Sequence, residues 1–382
     1  MHSSRIAGNA AHAYNEPPNR KVGDLVMTER WWRDRYDEIA ENGYKLRSRY
    51  QPNWKPSWLK SGKDFYTVED GQPTILRAAM DATRVRDNLQ VMLKAVFPAE
   101  GPHELSINKL FSSPELATIP DNHCAPLLDV IELQRPEPQK IMVFPLLRPF
   151  NQPNMQTVGE FVAFLTQICQ GIRFMHERNV AHRDCTANNI MFSASKMYPN
   201  GFHPVKINRN RNFKGAAKAY TRTQRPPVYY LIDFGLSREY TSRDVTDEPL
   251  RGGDKSAPEH RSQRRCNPFQ TDIYYIGNLV RHEFIERYYG FEFMEDLVNR
   301  MTLDDPAKRP RIEEVLEKLA LIRAFLSRGK LRSSLTSKRV PKIFGRFQQA
   351  RQSLRTIRYV ALRRPAIPDD PDSLHASRAA IA

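Results

Sequence analysis

The apolar pattern of this chain changes period near Asn151. Ahead of it lie strand-like runs at residues 74–79, 90–97 and 140–147, with one helical stretch at 104–111 between the second and third. Beyond it Phe161, Phe164, Leu165, Ile168, Ile172 and Met175 recur at steps that mark one face of a helix. Further helices are expected at 272–284 and 312–326. A chain that moves from strand spacing to helix spacing builds two unlike halves, so the expected class is α+β, with a small β-rich part and a larger helical part. No internal repeat interrupts that reading.

At 382 residues the chain is long enough to bury such a core without disulfides. Cys124, Cys169, Cys185 and Cys266 lie far apart with no C-x-x-C pair, which argues against a zinc site and fits a reducing compartment. No run approaches the length of a membrane-spanning helix, and no apolar stretch follows the amino terminus. The expected location is intracellular, in cytoplasm or nucleus. The net charge of +16 suggests a nucleic-acid partner until it is located. Residues 326–364 hold twelve Lys or Arg and no acid, and removing them leaves +4 for everything else. Basic character belongs to the tail.

Residues 1–20 are polar and aperiodic, and are expected to be disordered. A short helix opens at Thr28, carries Trp31, Trp32, Arg35 and Ile39, and stops at Asn42-Gly43. The aromatics of residues 44–59, Trp54 and Trp58 among them, are expected to pack against a neighbouring domain rather than to bind a ligand.

Three short motifs fall in one order. His182-Arg183-Asp184 is followed by Asn189, giving H-R-D-x-x-x-x-N. An apolar run, Tyr229-Tyr230-Leu231-Ile232, then enters Asp233-Phe234-Gly235, and Ala257-Pro258-Glu259 comes after it. Around them stand Val91-Met92-Leu93-Lys94, Glu104 at the head of the early helical stretch, Asp272 to Gly277, and Asp305-Pro306-Ala307-Lys308-Arg309. Together these resemble the catalytic loop, metal-binding turn and following segment of the eukaryotic protein kinases. The resemblance covers residues 62–325, with the N-lobe at 62–145, the C-lobe at 148–325 and a basic insert at 196–227. Residues 1–61 are left as an N-terminal extension, and 326–382 as a basic tail. The aromatic segment and the tail resemble a fungal lineage of divergent kinase-domain proteins.

The resemblance implies a bilobal fold, a protein substrate, and ATP with Mg²⁺ as cofactors. Phosphoryl transfer asks the protein for positioning and cations rather than covalent chemistry. On this reading Asp184 accepts the proton of the attacking hydroxyl, while Asn189 and Asp233 supply the oxygen ligands that suit Mg²⁺. Lys94 holds the α- and β-phosphates, and Glu104 holds Lys94. Phe144 closes the back of the nucleotide pocket. Adenine meets the Pro145 carbonyl, where the missing N–H of proline matters little, and the Leu147 N–H. His182 is expected to be a buried packing residue, Glu259 and Arg309 a structural ion pair, and Cys185 a packed loop residue.

Several positions depart from the family. The region ahead of Lys94 holds Gly71 where a run of glycines would let backbone N–H groups approach phosphate. Thr186 stands where serine/threonine kinases carry Lys, and Gly252-Gly253 replaces the usual Gly-Thr, leaving Lys255 to supply charge from the other side. The stretch from Asn189 to Asp233 is about 30 residues longer than the family's. Its bases, among them Lys206, Arg209, Arg211, Arg222 and Arg225, suggest an extended basic loop behind the nucleotide site, either solvated or docking an acidic partner. In the family such an Arg binds a phosphate on the following segment, so the resemblance implies for Arg183 either a phosphate on Thr241, Ser242 or Thr246 or a segment ordered without one.

In the tail, Ile343, Phe347, Ala350, Leu354, Ile357 and Ala361 recur at helical spacing among Arg346, Arg351, Arg355 and Arg358. Such a basic amphipathic helix covers the large lobe, lies on an anionic membrane surface, or binds an acidic partner or nucleic acid. Sequence-specific nucleic-acid reading is not expected. The leading reading is ATP- and Mg²⁺-dependent phosphoryl transfer to a protein hydroxyl, with Ser or Thr favoured over Tyr. The alternative is a pseudokinase scaffold that binds nucleotide weakly or not at all.

Overall fold

The computed structural model describes residues 23–368, apart from 75, 250–251, 263 and 340–341, and it leaves out the side chains of 342–351. Two compact units divide the chain. The expected disorder of residues 1–20 lies outside the described residues.

The first unit takes in the chain up to Val96, Asp129–Leu146 and Asn200–Ala217. Helices α1 (Met27–Arg33) and α2 (Tyr36–Glu41) replace the single helix expected from Thr28. A five-stranded antiparallel sheet follows, built from β1 (Tyr44–Leu46), β2 (Ala79–Arg84), β3 (Leu89–Ala95), β4 (Asp129–Leu133) and β5 (Gln139–Pro145). Its order is β1-β2-β3-β5-β4. The sheet thus begins ahead of residue 62, inside the aromatic segment. Residues 74–79, expected as a strand, mostly precede β2. Lys94 pairs opposite Ala79 and Met142, and Met92 opposite Asp81 and Phe144. Opposed residues in an antiparallel pair share a face, so Lys94, Met92, Asp81 and Phe144 line one side.

The β1–β2 connection folds around buried charge. Arg49 pairs with Glu29 at 2.8 and 3.0 Å, and the Tyr50 hydroxyl donates to the same carboxylate at 3.0 Å. Arg47 donates to Asp81, the Gln72 carbonyl and Thr74. Asp70 accepts from the Trp54 indole and from the Ser57 N–H and hydroxyl. Each charge is met by opposite charge or by several donors, which is what allows it to be buried.

The insert is solvated along much of its length, with Lys206, Arg209, Lys214, Lys218 and Arg225 exposed, and it is anchored at a few points, Phe202, His203 and Arg222 being buried. Residues 200–217 pack within the sheet unit. Gln90 donates to the Phe202 carbonyl, and Arg211 donates to the Asn88 carbonyl and to Thr83.

The second unit holds Phe97–Leu128, Leu147–Pro199 and the chain from Lys218 onward. Helix α3 (Glu104–Phe111) lies in it, with the bounds expected. The long helix α4 (Val158–His176) is capped by Thr157, whose hydroxyl accepts from Glu160 N–H. Nearly all its residues are buried, so it runs through the core rather than along its surface. Helix α5 (Pro268–Val280) starts four residues before the expected Asp272. Asn267 Oδ1 accepts from Phe269 and Gln270 N–H groups, and Pro268 takes the first helical position, where its missing N–H is harmless. Helices α6 (Glu295–Met301) and α7 (Ile312–Phe325) complete the core, and α8 (Lys342–Ala361) forms in the basic tail. Among the described residues no helix is long and apolar enough to cross a membrane.

Candidate active site

The H-R-D loop of the helical unit runs from the short strand Val180–Ala181 to the strand Ile190–Phe192. Asp272, fully buried on α5, clamps its backbone by accepting from His182 N–H at 2.8 Å and Arg183 N–H at 2.7 Å. Arg183 adopts φ 67°, a left-handed conformation uncommon for a residue with a side chain. Asn189 then donates to the Asp184 carbonyl and to its Oδ2, each at 2.8 Å. Gly253 N–H donates to Oδ1 at 2.7 Å. Burial pushes the Asp184 carboxyl up to about 6; the charges of Asp233 and Asp272 act the same way, against the Gly253 and Asn189 donors.

Asp233 also sits in left-handed backbone, φ 64° and ψ 75°, and caps the turn Phe234–Leu236. Phe234 is buried and packs on Phe111 of α3 at 6.0 Å and on His182 at 5.4 Å, edge to face in the second case. His182 is therefore the packing residue expected, and its Nδ1 accepts from Asp184 N–H at 3.3 Å. Glu104, buried at the start of α3, faces the same turn: a Cβ built on Gly235 would lie 3.3 Å from Asp233 Oδ1 and 4.0 Å from Glu104 Oε2. Lys94, Phe144 and Pro145 belong to the sheet unit, and Leu147 is buried at the start of the helical unit's second segment.

The Ala-Pro-Glu segment closes the site's support. Glu259 and Arg309 form a buried two-pronged pair at 2.6 and 2.9 Å. Cys185 is wholly buried against the Asp272 carbonyl, and burial raises its thiol far above the ordinary range, so it is unreactive.

Residues 74–281, over half of the chain, match the family model of protein tyrosine and serine/threonine kinases. The chain is a member of the protein kinase family. It is similar to serine/threonine-protein kinase WNG2 of Toxoplasma gondii, at 27% identity over 45% of this chain and 29% of that protein. It is also similar to serine/threonine-protein kinase ATG1 of Pichia angusta, at 20% identity over 54% of this chain and 25% of that protein. With dual specificity protein kinase zakA of Dictyostelium discoideum it shares 28% identity over 35% of this chain and 14% of that protein. The match thus spans less than a third of each relative.

The β1–β2 connection, residues 47–78, has no run of glycines. The β1–β2 connection holds Gly71, but a Cβ there would collide with the Phe65 carbonyl. That glycine serves a close backbone contact inside the sheet unit. Within the connection the Gln72 carbonyl accepts from Arg47, the Asp70 carbonyl accepts from Arg49, and the Asp70 carboxylate accepts from Trp54 and Ser57.

The oxygen donors suit a hard divalent cation. Both Asn189 Nδ2 contacts go to Asp184, which leaves the amide oxygen as the group Asn189 can offer. Asp233 is exposed and adds a carboxylate. An amide oxygen and one carboxylate, with the rest of the shell from water and phosphate, is the kind of set Mg²⁺ takes.

Two features of this kinase escaped sequence reading. Asp247 accepts from Arg183 at 2.9 Å, from Arg238 at 3.0 Å and from the Tyr240 hydroxyl at 2.7 Å. It takes the Arg183 contact expected of a phosphate on Thr241, Ser242 or Thr246. The second is the Gly253 N–H on Asp184. Thr186 Oγ1 is buried with no hydrogen-bond partner among the described residues, and Lys255 is exposed. No short motif encodes either contact. The only signal was an acid near the end of the segment after Asp-Phe-Gly, and paired glycines where the family has Gly-Thr.

Proposed function

We propose that this kinase transfers the γ-phosphoryl group of ATP to a hydroxyl of a protein, Ser or Thr, with Mg²⁺ bound at Asn189 and Asp233. The observation that carries the reading is Asp184 held by Asn189 and Gly253 beside the Asp233 turn. The bond from the γ-phosphorus to the β-phosphate oxygen breaks, a bond to the substrate oxygen forms, and the hydroxyl proton passes to Asp184. A carboxyl near 6 is mostly ionised at neutral pH and still basic enough to take that proton. When bound, the metal neutralises charge on the phosphate oxygens. Lys94 is proposed to meet the α- and β-phosphates, with Glu104 orienting it, and Phe144, Pro145 and Leu147 to frame the adenine. Four unpaired cysteines support an intracellular site, cytoplasmic or nuclear.

A second reading rests on the β1–β2 connection. With its backbone folded around Arg47 and Arg49 and no glycine run, the chain is a pseudokinase scaffold that holds nucleotide weakly.

A thermal-shift titration separates the two. Binding to the native state alone raises the midpoint by an amount set by ligand concentration over Kd. A rise with ATP and Mg²⁺ that is absent with ATP alone, and lost in Asp233→Ala, supports phosphoryl transfer. Labelled γ-phosphate appearing on a protein substrate, and lost in Asp184→Asn, completes that support. No shift at millimolar ATP favours the scaffold.

A further inference from the structure

Helix α8 turns the wrong residues outward for a helix that merely covers the protein. Leu354, Ile357 and Val360 are 71%, 67% and 55% exposed, and Leu362, in the turn that follows, is 56% exposed. Among the described side chains of the helix, Gln352 and Tyr359 are the buried ones. At 3.6 residues per turn the three exposed apolar residues of the helix span an arc of about 120°, and Gln352, Arg355 and Tyr359 an arc of about 60° on the other side. The polar side is fastened: the Tyr359 hydroxyl bonds Thr221 at 2.8 Å, and Arg355 donates to Gln156 at 2.8 Å. Further on, Arg332 donates to the Arg364 carbonyl at 2.7 Å. A Cβ on Gly159 of α4 would collide with the Ala366 carbonyl, so the chain after the helix lies directly on the large unit. The apolar side is left facing solvent and is flanked by exposed Arg358, Arg363 and Arg364. Of the residues expected on this face, Ile343, Phe347 and Ala350 have side chains outside the described residues.

We infer that α8 is an interfacial helix that seats this protein on an anionic membrane surface. Two observations choose that occupant. The stretch that contains the helix, residues 326–364, carries twelve Lys or Arg and no acid, which complements anionic headgroups. Because its opposite side is fastened to the protein, the helix can be met from one side only. A planar surface can do that; an acidic groove that enwraps a helix cannot. Leu354, Ile357 and Val360 enter the headgroup–acyl boundary while the arginines reach the headgroups beside them. The inference stands whether or not the chain transfers phosphate.

The test is sedimentation of the full chain with phosphatidylcholine vesicles and with vesicles that also contain phosphatidylserine. Binding to the anionic vesicles should exceed binding to the neutral ones by more than about tenfold and weaken with salt. Leu354→Asp with Ile357→Asp should reduce it by more than about tenfold, as should Arg358→Glu with Arg363→Glu. These side chains are exposed, so an unchanged circular dichroism spectrum and melting midpoint serve as the folding control. Undiminished binding of the double-Asp variant would overturn the inference by showing charge attraction alone. No binding to either vesicle would overturn it too, as would a wild-type dimer that the double-Asp variant abolishes, or a preference for polyglutamate over vesicles.

Discussion

Arg183 Nη1 stands 2.9 Å from Asp247 Oδ2, and both side chains are largely buried. Burial opposes the charge on Asp247, but the Tyr240 hydroxyl, the Glu248 N–H and the Arg183 and Arg238 guanidinium groups outweigh it and hold the carboxyl at about 2. The segment between Asp-Phe-Gly and Ala-Pro-Glu is thus tied to the H-R-D loop by a permanent charge. A phosphate would supply the same contacts only after modification.

Asp247→Ala should therefore loosen that segment. The expected result is a fall of about tenfold or more in kcat/KM, consistent with the loss of about 1.5–3 kcal/mol in charge-assisted hydrogen bonds. Limited proteolysis should cut faster between residues 238 and 257. Phosphatase treatment of the wild-type protein should leave activity unchanged, as should Thr246→Ala. A phosphatase-sensitive activity would refute constitutive ordering.

Gly252→Ala tests how closely the segment must approach the catalytic loop. The added methyl would run into the Asp184 carboxylate. Displacing that group by a fraction of an ångström should lower kcat by about 100-fold. The melting midpoint should move little, since Gly252 is only half-buried. A variant with full activity would mean that Asp184 does not need this fit.

The Glu259–Arg309 pair is a matter of stability. Arg309→Met leaves a buried carboxylate without its partner, and should destabilise the fold by about 3–5 kcal/mol in urea titration. Replacing both members with apolar residues should restore much of that loss. If the single variant unfolds like the wild type, the pair is not structural.

His182 predicts a pH effect. Its complete burial keeps the imidazole from protonating at the usual 6.5, although Asp272 and Asp233 favour the charged form. Below 6.5 the unfolded chain takes up a proton there that the folded protein does not, so stability falls as the pH drops through that value. The slope attributable to this residue is at most about 1.4 kcal/mol per pH unit. His182→Asn, which keeps an acceptor near Asp184 N–H, should flatten the wild-type curve below pH 6.5. An unchanged curve would show that His182 titrates normally.

Much of the candidate site's local geometry was legible because its parts are close in the chain. His182 to Asn189 lie within one loop, and the Asn189–Asp184 bond joins residues five apart. Asp233 and Phe234 share one turn, and the bounds of α3 follow from apolar spacing alone. The start of α5 is written in the sequence as well, since Asn267-Pro268 is a cap followed by a first-turn proline, four residues ahead of Asp272.

The remainder depended on contacts that no local pattern specifies. Three residues of β1 carry too little periodicity to announce a strand; pairing with β2 makes them one. Spacing placed Leu354 and Ile357 on one face of α8 but could not say which way that face points. The Tyr359–Thr221 bond decides it, across 138 positions of chain. Asp247 looked like any acid in a loop until Arg183, 64 positions earlier, was brought to it. By itself, then, the sequence settled residue types, short-range geometry and the order of the motifs, because neighbours in the chain are constrained by backbone sterics and hydrogen bonding. Only the folded chain settled which distant charges meet and which apolar face stays wet. Those outcomes depend on burial, and burial is a property of the whole packed structure.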